Sequence, residues 1–287
     1  MQLLYGKPVA DRIHADIRER VSRLTIQPKL AVILVGNNPA SHLYVSLKEK
    51  EAAMDGIAFE KHILIESTSE DEILSIIARL NEDVSVHGIL VQLPLPDGLD
   101  TDRIIGAMDP NKDVDGFHAH NVAAFLAGDK TRIPVFPEAL MELLLSSGQP
   151  LEGQSAIMVV NSEHFGRVLL QAGANHGLLG RMIPSERLLT ETGMILDARV
   201  VMSACGMPNL ITGNSILPNT ILIDGGIAKD ESGRTVGDVD AENMAHQTGF
   251  LAPVPGGVGP VTIACLLRKV VALAEEKQKS RENRVSS

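Results

Sequence analysis

The chain has 287 residues, of which 44% are hydrophobic and 22% charged, and a formal charge of −10. That composition is that of a globular protein with a large buried core, long enough for two α/β lobes. The acidic balance disfavours a nucleic-acid surface, which needs dense Lys/Arg patches, and no apolar run reaches the ~20 residues of a membrane span.

Absence of Trp and an aromatic content of 3% leave no base-stacking platform. Cys205 and Cys265 lie far apart in apolar sequence, so neither a disulfide framework nor a zinc pattern is expected, and both read as reduced core residues. The N-terminal M-Q-L-L-Y-G-K-P has no leader character, which makes the cytoplasm the expected location.

Val9, Ile13, Ile17, Val21 and Leu24 recur at helical spacing and predict an amphipathic helix over 8–24. The unbroken apolar run 29–36, ending in glycine, predicts a strand buried on both faces and hence a parallel sheet. A helix over 39–54, a strand near 59–65, a helix opened by Ser69 with Glu72 as a capping box, and a strand over 87–92 follow. This alternation is that of a three-layer α/β lobe.

I-P-V-F-P, up to Pro137, interrupts both periodicities and marks the lobe boundary. A second series predicts helices over 138–147 and 165–174 and strands over 155–160, near Arg181, 199–204 and 220–224, a doubly wound, Rossmann-like lobe. The last helix, 262–277, follows a glycine-rich loop and is expected to return to the first lobe. The expected domains are therefore 1–136 completed by 262–287, and 137–261.

Ligands of open α/β sheets bind beyond the carboxyl ends of the strands, so the loops there carry the chemistry. After the first such strand Ser41, Tyr44 and Lys48 fall on one helical stripe, aiming a hydroxyl, a phenol and an ammonium at one space. An ordinary wet helix face has the same spacing. Gln92 ends an apolar strand, where a carboxamide needs partners and serves either as a cap or as a ligand contact. Asp113 and Asp115 precede Gly116 like a fragment of a calcium loop, but lack the distal ligands, so turn-stabilising carboxylates are expected and no metal. P-V-P-G-G-V-G-P, 253–260, suits a rigid wall approached closely by a planar ligand, or a crossing between lobes.

Taken together, L-A-V-I-L-V-G-N-N-P-A-S-H-L-Y-V-S-L-K, G-I-L-V-Q-L-P-L-P, K-D-V-D-G-F-H-A-H-N, I-D-G-G-I-A with G-D-V-D, and P-V-P-G-G-V-G-P-V-T resemble the signature segments of the methylenetetrahydrofolate dehydrogenase/methenyltetrahydrofolate cyclohydrolase family, in its order. The resemblance implies tetrahydrofolate derivatives as substrates, a folate cleft between two lobes and a homodimer. It places Lys48 on the family's catalytic lysine, Tyr44 beside the folate ring, Gln92 as the partner of that lysine, and Asp115 on the pterin. Ser41 and the loop Pro255, Gly256 and Gly257 complete the folate contacts it implies.

For the NADP or NAD cofactor the resemblance implies contacts at Asn161, Ser162, Gly166, Glu186, Arg187, Ala204, Gly206 and Ile227. Here the chain departs from the family pattern. Where the family has G-R-S-x-x-V-G-K/R-P, this chain has Val160, Asn161, Ser162, then Glu163, His164, Phe165, Gly166, Arg167 and Val168. A segment like H-S-x-T is replaced by P-S-E-R, in which Glu186 would repel a 2′-phosphate and Arg187 partly offsets it. The hinge P-x-T-P-x-G is P-V-F-P-E-A, with Phe136 and Ala139. Three readings follow: a bifunctional enzyme with an altered nicotinamide site, a cyclohydrolase with weak or lost dehydrogenase activity, and a non-catalytic folate-binding paralogue.

Overall fold

Leu30 to Val35 are all buried, as the unbroken apolar run requires of a strand covered on both faces. In this computed structural model, which describes residues 1–244 and 246–285, with backbone alone for Thr192, Arg284 and Val285, that strand is central to a small parallel sheet.

In chain order the elements are β1 (Gln2–Leu3), α1 (Gly6–Ser22), β2 (Lys29–Val35), α2 (Pro39–Met54), β3 (Ala58–Leu64), α3 (Glu70–Glu82), β4 (Gly88–Val91), α4 (Thr101–Gly106), α5 (Ala119–Leu126) and α6 (Val135–Ser146). Then come β5 (Ser155–Val160), α7 (Glu163–Ala174), β6 (Leu179–Pro184), α8 (Ser185–Thr190), β7 (Val200–Ala204), β8 (Thr220–Asp224), β9 (Ala228–Lys229), β10 (Thr235–Val236), β11 (Gly249–Ala252) and α9 (Val258–Val285).

The chain divides into two compact units, one of Asp11–Ala124 with Ile263–Ser287, the other of Met1–Ala10 with Phe125–Thr262. In the small-sheet unit the order is β3-β2-β4, all parallel, with Lys29 opposite Ala58 and Leu30 opposite Gly88. Ile33, Ile73, Ile77, Ile89 and Ile104, each 0% exposed, centre its core. α3 opens on the expected box: Ser69 Oγ accepts the Glu72 N–H at 3.3 Å and the Glu72 carboxylate accepts the Ser69 N–H at 3.1 Å. α9 lies with α1, as Glu275 accepts Arg20 Nε and Nη2 at 2.9 Å each and Gln278 accepts the Thr25 N–H at 2.8 Å. The last helix thus returns to the first α/β body, eight residues longer than its expected end at 277.

The large-sheet unit carries β1-β11-β8-β7-β5-β6, all parallel, the doubly wound arrangement expected, with β9 and β10 as a separate antiparallel pair. Two expectations shift. Residues 1–10 belong here and not with 11–124, because β1 pairs with β11, Gln2 opposite Phe250. The boundary expected at 136 lies at Phe125, and α6 begins at Val135, since Pro137 occupies the first helical turn, where a missing N–H costs nothing. No described helix is long and apolar enough to cross a membrane.

Candidate functional site

Parallel pairing puts the carboxyl ends of β2 and β4 at one edge of the small sheet, and the loops there bring Lys48 to Gln92. Asn38 caps α2, its Oδ1 accepting from Ala40 N and Ser41 N at 2.9 and 3.2 Å. Along α2 Ser41 and Lys48 are buried and Tyr44 half-buried, so the stripe faces inward and is not a wet face. Gln92, aligned by its N–H to Ile33 O at 2.9 Å, accepts from Lys48 Nζ at 2.7 Å and donates through Nε2 to Leu93 O at 2.7 Å. Burial lowers the Lys48 pKa from the ordinary lysine value, and Asp115 opposes that effect. Burial raises the Asp115 carboxyl, with Lys48 opposing. Lys48, Gln92 and Asp115 therefore form one electrostatic unit, with Tyr44 on the same helix stripe.

The first aspartate of D-V-D-G is a turn builder. Asp113 accepts the N–H groups of Gly116 and His118 at 2.9 Å each, and Asn121 Nδ2 at 2.9 Å. Sequence reasoning missed its neighbour Lys112, 7% exposed, whose Nζ donates to Leu80 O and Asn81 O at 2.7 Å and to Asp83 O at 2.8 Å. The ammonium closes the C-terminal carbonyls of α3 and anchors the loop that carries Asp115. Among the described residues no group of three or more His, Cys, Asp or Glu is disposed to hold a metal ion.

Pro255, Gly256 and Gly257 belong to the large-sheet unit, in the loop between β11 and α9. Gly6 N–H donates to Gly256 O at 2.8 Å, and a Cβ on Gly6 would stand 1.8 Å from Gly257 O, so this loop is clamped to the start of α1.

In the same unit the turn after β5 exposes Asn161, Ser162, Glu163 and His164. Asn161 Nδ2 donates to Cys205 O at 3.1 Å, while Ser162 caps α7 by accepting the Phe165 N–H at 3.4 Å. Gly166 lets α7 lie on the sheet, for a Cβ there would meet Met182 Sδ at 2.8 Å and Val160 Cγ2 at 2.9 Å. Gly206, with φ +66°, is approached by Ile227 O, so Asn161, Ala204, Gly206 and Ile227 gather at the carboxyl ends of β5, β7 and β8.

β6 stops at Pro184, and Glu186 and Arg187 follow directly in α8. Arg187 pairs with Glu191, just beyond α8, at 3.1 and 3.2 Å.

Two further residues, quoted in the motifs but given no role there, organise this edge. Asp224 accepts from Gly226 N and Val239 N at 2.9 Å and from Asp238 N at 3.1 Å, and burial, with Asp238 nearby, pushes its carboxyl up to about 7. Asp238 accepts from Cys205 N and Met207 N at 2.8 Å each, which holds the backbone around Gly206. Phe136 and Phe165, both departures from the family pattern, meet with ring centroids 5.8 Å apart, so the two changes are complementary.

Comparison with known proteins matches two successive stretches of the chain. Residues 4–115 match the tetrahydrofolate dehydrogenase/cyclohydrolase catalytic domain and residues 134–278 the NAD(P)-binding domain of the same family. The bifunctional protein FolD of Moorella thermoacetica is 41% identical over 277 residues, covering 95% of this chain and 98% of the relative. The crystal structure of FolD from Campylobacter jejuni superposes with a TM-score of 0.87 at 38% identity over 96% of this chain and 99% of that one. The Trypanosoma brucei FolD, solved with NADP cofactor and inhibitor, gives 0.89 at 29% identity over 95% of this chain and 96% of that one.

Proposed function

Because the chain belongs to the tetrahydrofolate dehydrogenase/cyclohydrolase family, we infer that it oxidises 5,10-methylenetetrahydrofolate to the 5,10-methenyl form and hydrolyses that to 10-formyltetrahydrofolate. The observation that carries this reading is the buried Lys48 ammonium held on Gln92 with Asp115 in its field.

Both steps need proton control beside a cationic one-carbon bridge. Burial shifts Lys48 towards its neutral amine, with Asp115 opposing, and the amine is the form that takes a proton from the water that opens the methenyl group. Gln92 fixes the amine's direction. Asp115 offers acceptor oxygens to the amino and ring N–H donors of a pterin, and Tyr44 offers a ring face to the flat substrate. Bound nicotinamide supplies the hydride acceptor.

The residues at the large-sheet edge fit such a cofactor. The Ser162-capped start of α7 presents backbone N–H groups to a pyrophosphate, and Gly206 allows close backbone approach. Glu163 in the first turn and Asn161, engaged with Cys205 O, weaken a phosphate grip relative to the arginine of the family pattern. Glu186, exposed in α8, repels a 2′-phosphate and favours NAD over NADP. The grip is on a pyrophosphate common to both nucleotides, so its weakening keeps a hydrolase with a weakened redox half as the second reading. Titration with NAD and with NADP separates them: binding of neither nucleotide would leave the hydrolase alone.

Lys48→Ala is expected to lower methenyl opening by about 10²-fold or more while near-UV dichroism and Tm hold. Retained opening would remove Lys48 from the chemistry. If Lys48→Ala abolishes opening, the non-catalytic reading fails too. Reaction in the cytoplasm is part of the same proposal.

We also propose a homodimer, supported by β6, an outer strand of its sheet on which Leu179 is 69% exposed. Leu179→Lys should shift the sedimentation coefficient towards a monomer; an unchanged mass would place the contact elsewhere.

A further inference from the structure

At the opposite strand ends from Gln92, the small sheet holds a buried donor with nothing to bond. His87, 6% exposed, immediately precedes β4 and is paired with Lys29, donating its own N–H to Lys29 O at 3.0 Å. Its Nδ1 accepts the Lys29 backbone N–H at 3.1 Å, so the neutral ring carries its proton on Nε2. That Nε2 is buried without a hydrogen-bond partner. Burial first, then the charges of Lys277, Arg281 and Lys112, push the ring down to about 4, so at neutral pH it stays an uncharged donor.

A cavity of about 350 Å³ adjoins it, lined by Gln27, Lys29, Ser85, His87 and Arg281 among others. The charges around it do not balance. Lys29 is neutralised by Glu60, with Asp83 at 3.9 Å, and Asp83 is occupied by Ser85, whose N–H and Oγ donate to it at 2.7 Å each. Lys112 is satisfied by backbone carbonyls but keeps its charge. Arg281 and Lys277 on α9 make no ion pair among the described residues. Counted by charge, Lys29, Lys112, Lys277 and Arg281 exceed Glu60, Asp83 and Asp109 around His87, and Arg281 lines the cavity itself. An uncommitted N–H therefore lies in an excess of positive charge whose missing complement is an anion.

We propose that this cavity is a binding site for a small oxyanion of the phosphate class, with the His87 Nε2–H and the Arg281 guanidinium as its donors. Arg281 is exposed and Nε2 is closed off, so binding requires a side chain of the cavity lining to swing aside for the anion. A planar fork with several donors suits a tetrahedral oxyanion. The volume leaves room for the organic part of a phosphomonoester. The site is separate from Lys48 and Gln92, at the amino ends of strands whose carboxyl ends carry those residues.

The test uses the full chain with ¹³C-labelled histidine, titrated at neutral pH and constant ionic strength with inorganic phosphate, with a phosphomonoester, and with chloride as control. The His87 Cε1–H resonance, assigned with His87→Gln, should shift saturably with one or both phosphates and not with chloride. Saturation by inorganic phosphate alone identifies the free ion, and tighter binding of the monoester an esterified ligand. The His87 midpoint should rise from about 4, because a bound anion favours the charged ring. Arg281→Ala should weaken binding about tenfold, the loss of one charge-assisted hydrogen bond, without lowering Tm. No saturable shift at His87, a shift of other histidines only, or unchanged affinity in Arg281→Ala would overturn the proposal.

Discussion

Lys112 and Asp115 stand three apart in one motif and do opposite work with burial. Asp115 has its proton affinity raised and faces Lys48. Lys112 has its proton affinity lowered, yet keeps all three donors occupied by backbone carbonyls. Lys112→Met should therefore act through stability first: three buried carbonyls lose their partner, at a cost of about 2–3 kcal/mol, read as a lower urea midpoint. An unchanged midpoint would mean that water replaces the ammonium. The aspartate pair drew attention because two carboxylates at short spacing suggest ligands, whereas a lysine beside them looks like surface. Nothing in its neighbours names its partners, which lie some thirty positions upstream, Asn81 being 31 away.

Elements were legible where a strand or helix is long and its pattern is set by burial. The bounds of α2 and β5 match those read from periodicity, because Val45, Lys48 and Ala52 face inward along α2 and five of the six β5 positions are covered. Short β1 and β11 escaped, since two and four residues carry no period and their pairing joins opposite ends of the chain. The turn from β5 to α7 is the element whose chemistry departs most from the family pattern. Val160 is buried and its Cγ2 touches the space over Gly166, while Asn161 reaches across to Cys205 O. Val160→Gly with Asn161→Arg would open the backbone to a pyrophosphate and add a bidentate cation, and is expected to raise NADP affinity about tenfold. Unchanged affinity by fluorescence titration would show that this turn does not grip the cofactor.

At the scale of the whole molecule, the parallel sheets were predictable from apolar runs and the return of the last helix from the loop before it, but the breaks inside α1 and α5 were not, because they leave no change of composition. The same is true of Asp224, which is visible as a residue but has its proton affinity set only on folding. Asp224 rises from 3.8 to about 7, chiefly through burial. A carboxyl whose folded value is raised binds its proton more tightly in the native state, so its contribution to stability is full below the unfolded value and is lost as pH rises through the folded one. Between 3.8 and about 7 this single group should reduce the unfolding free energy by up to about 1.4 kcal/mol per pH unit.

Other carboxyls act in the opposite sense, Asp230 being lowered to about 2 by Ser232 and Arg234, so the total pH curve would hide the effect. The comparison that isolates it is Asp224→Asn against the native chain, in denaturant melts from pH 4 to 8. Asparagine cannot ionise, and its Oδ1 can still accept from Gly226 and Asp238. The variant should therefore gain relative stability as pH rises towards 7 and hold a constant difference above it. A difference that does not change with pH would mean that Asp224 is ionised throughout, held by its three backbone N–H donors despite burial.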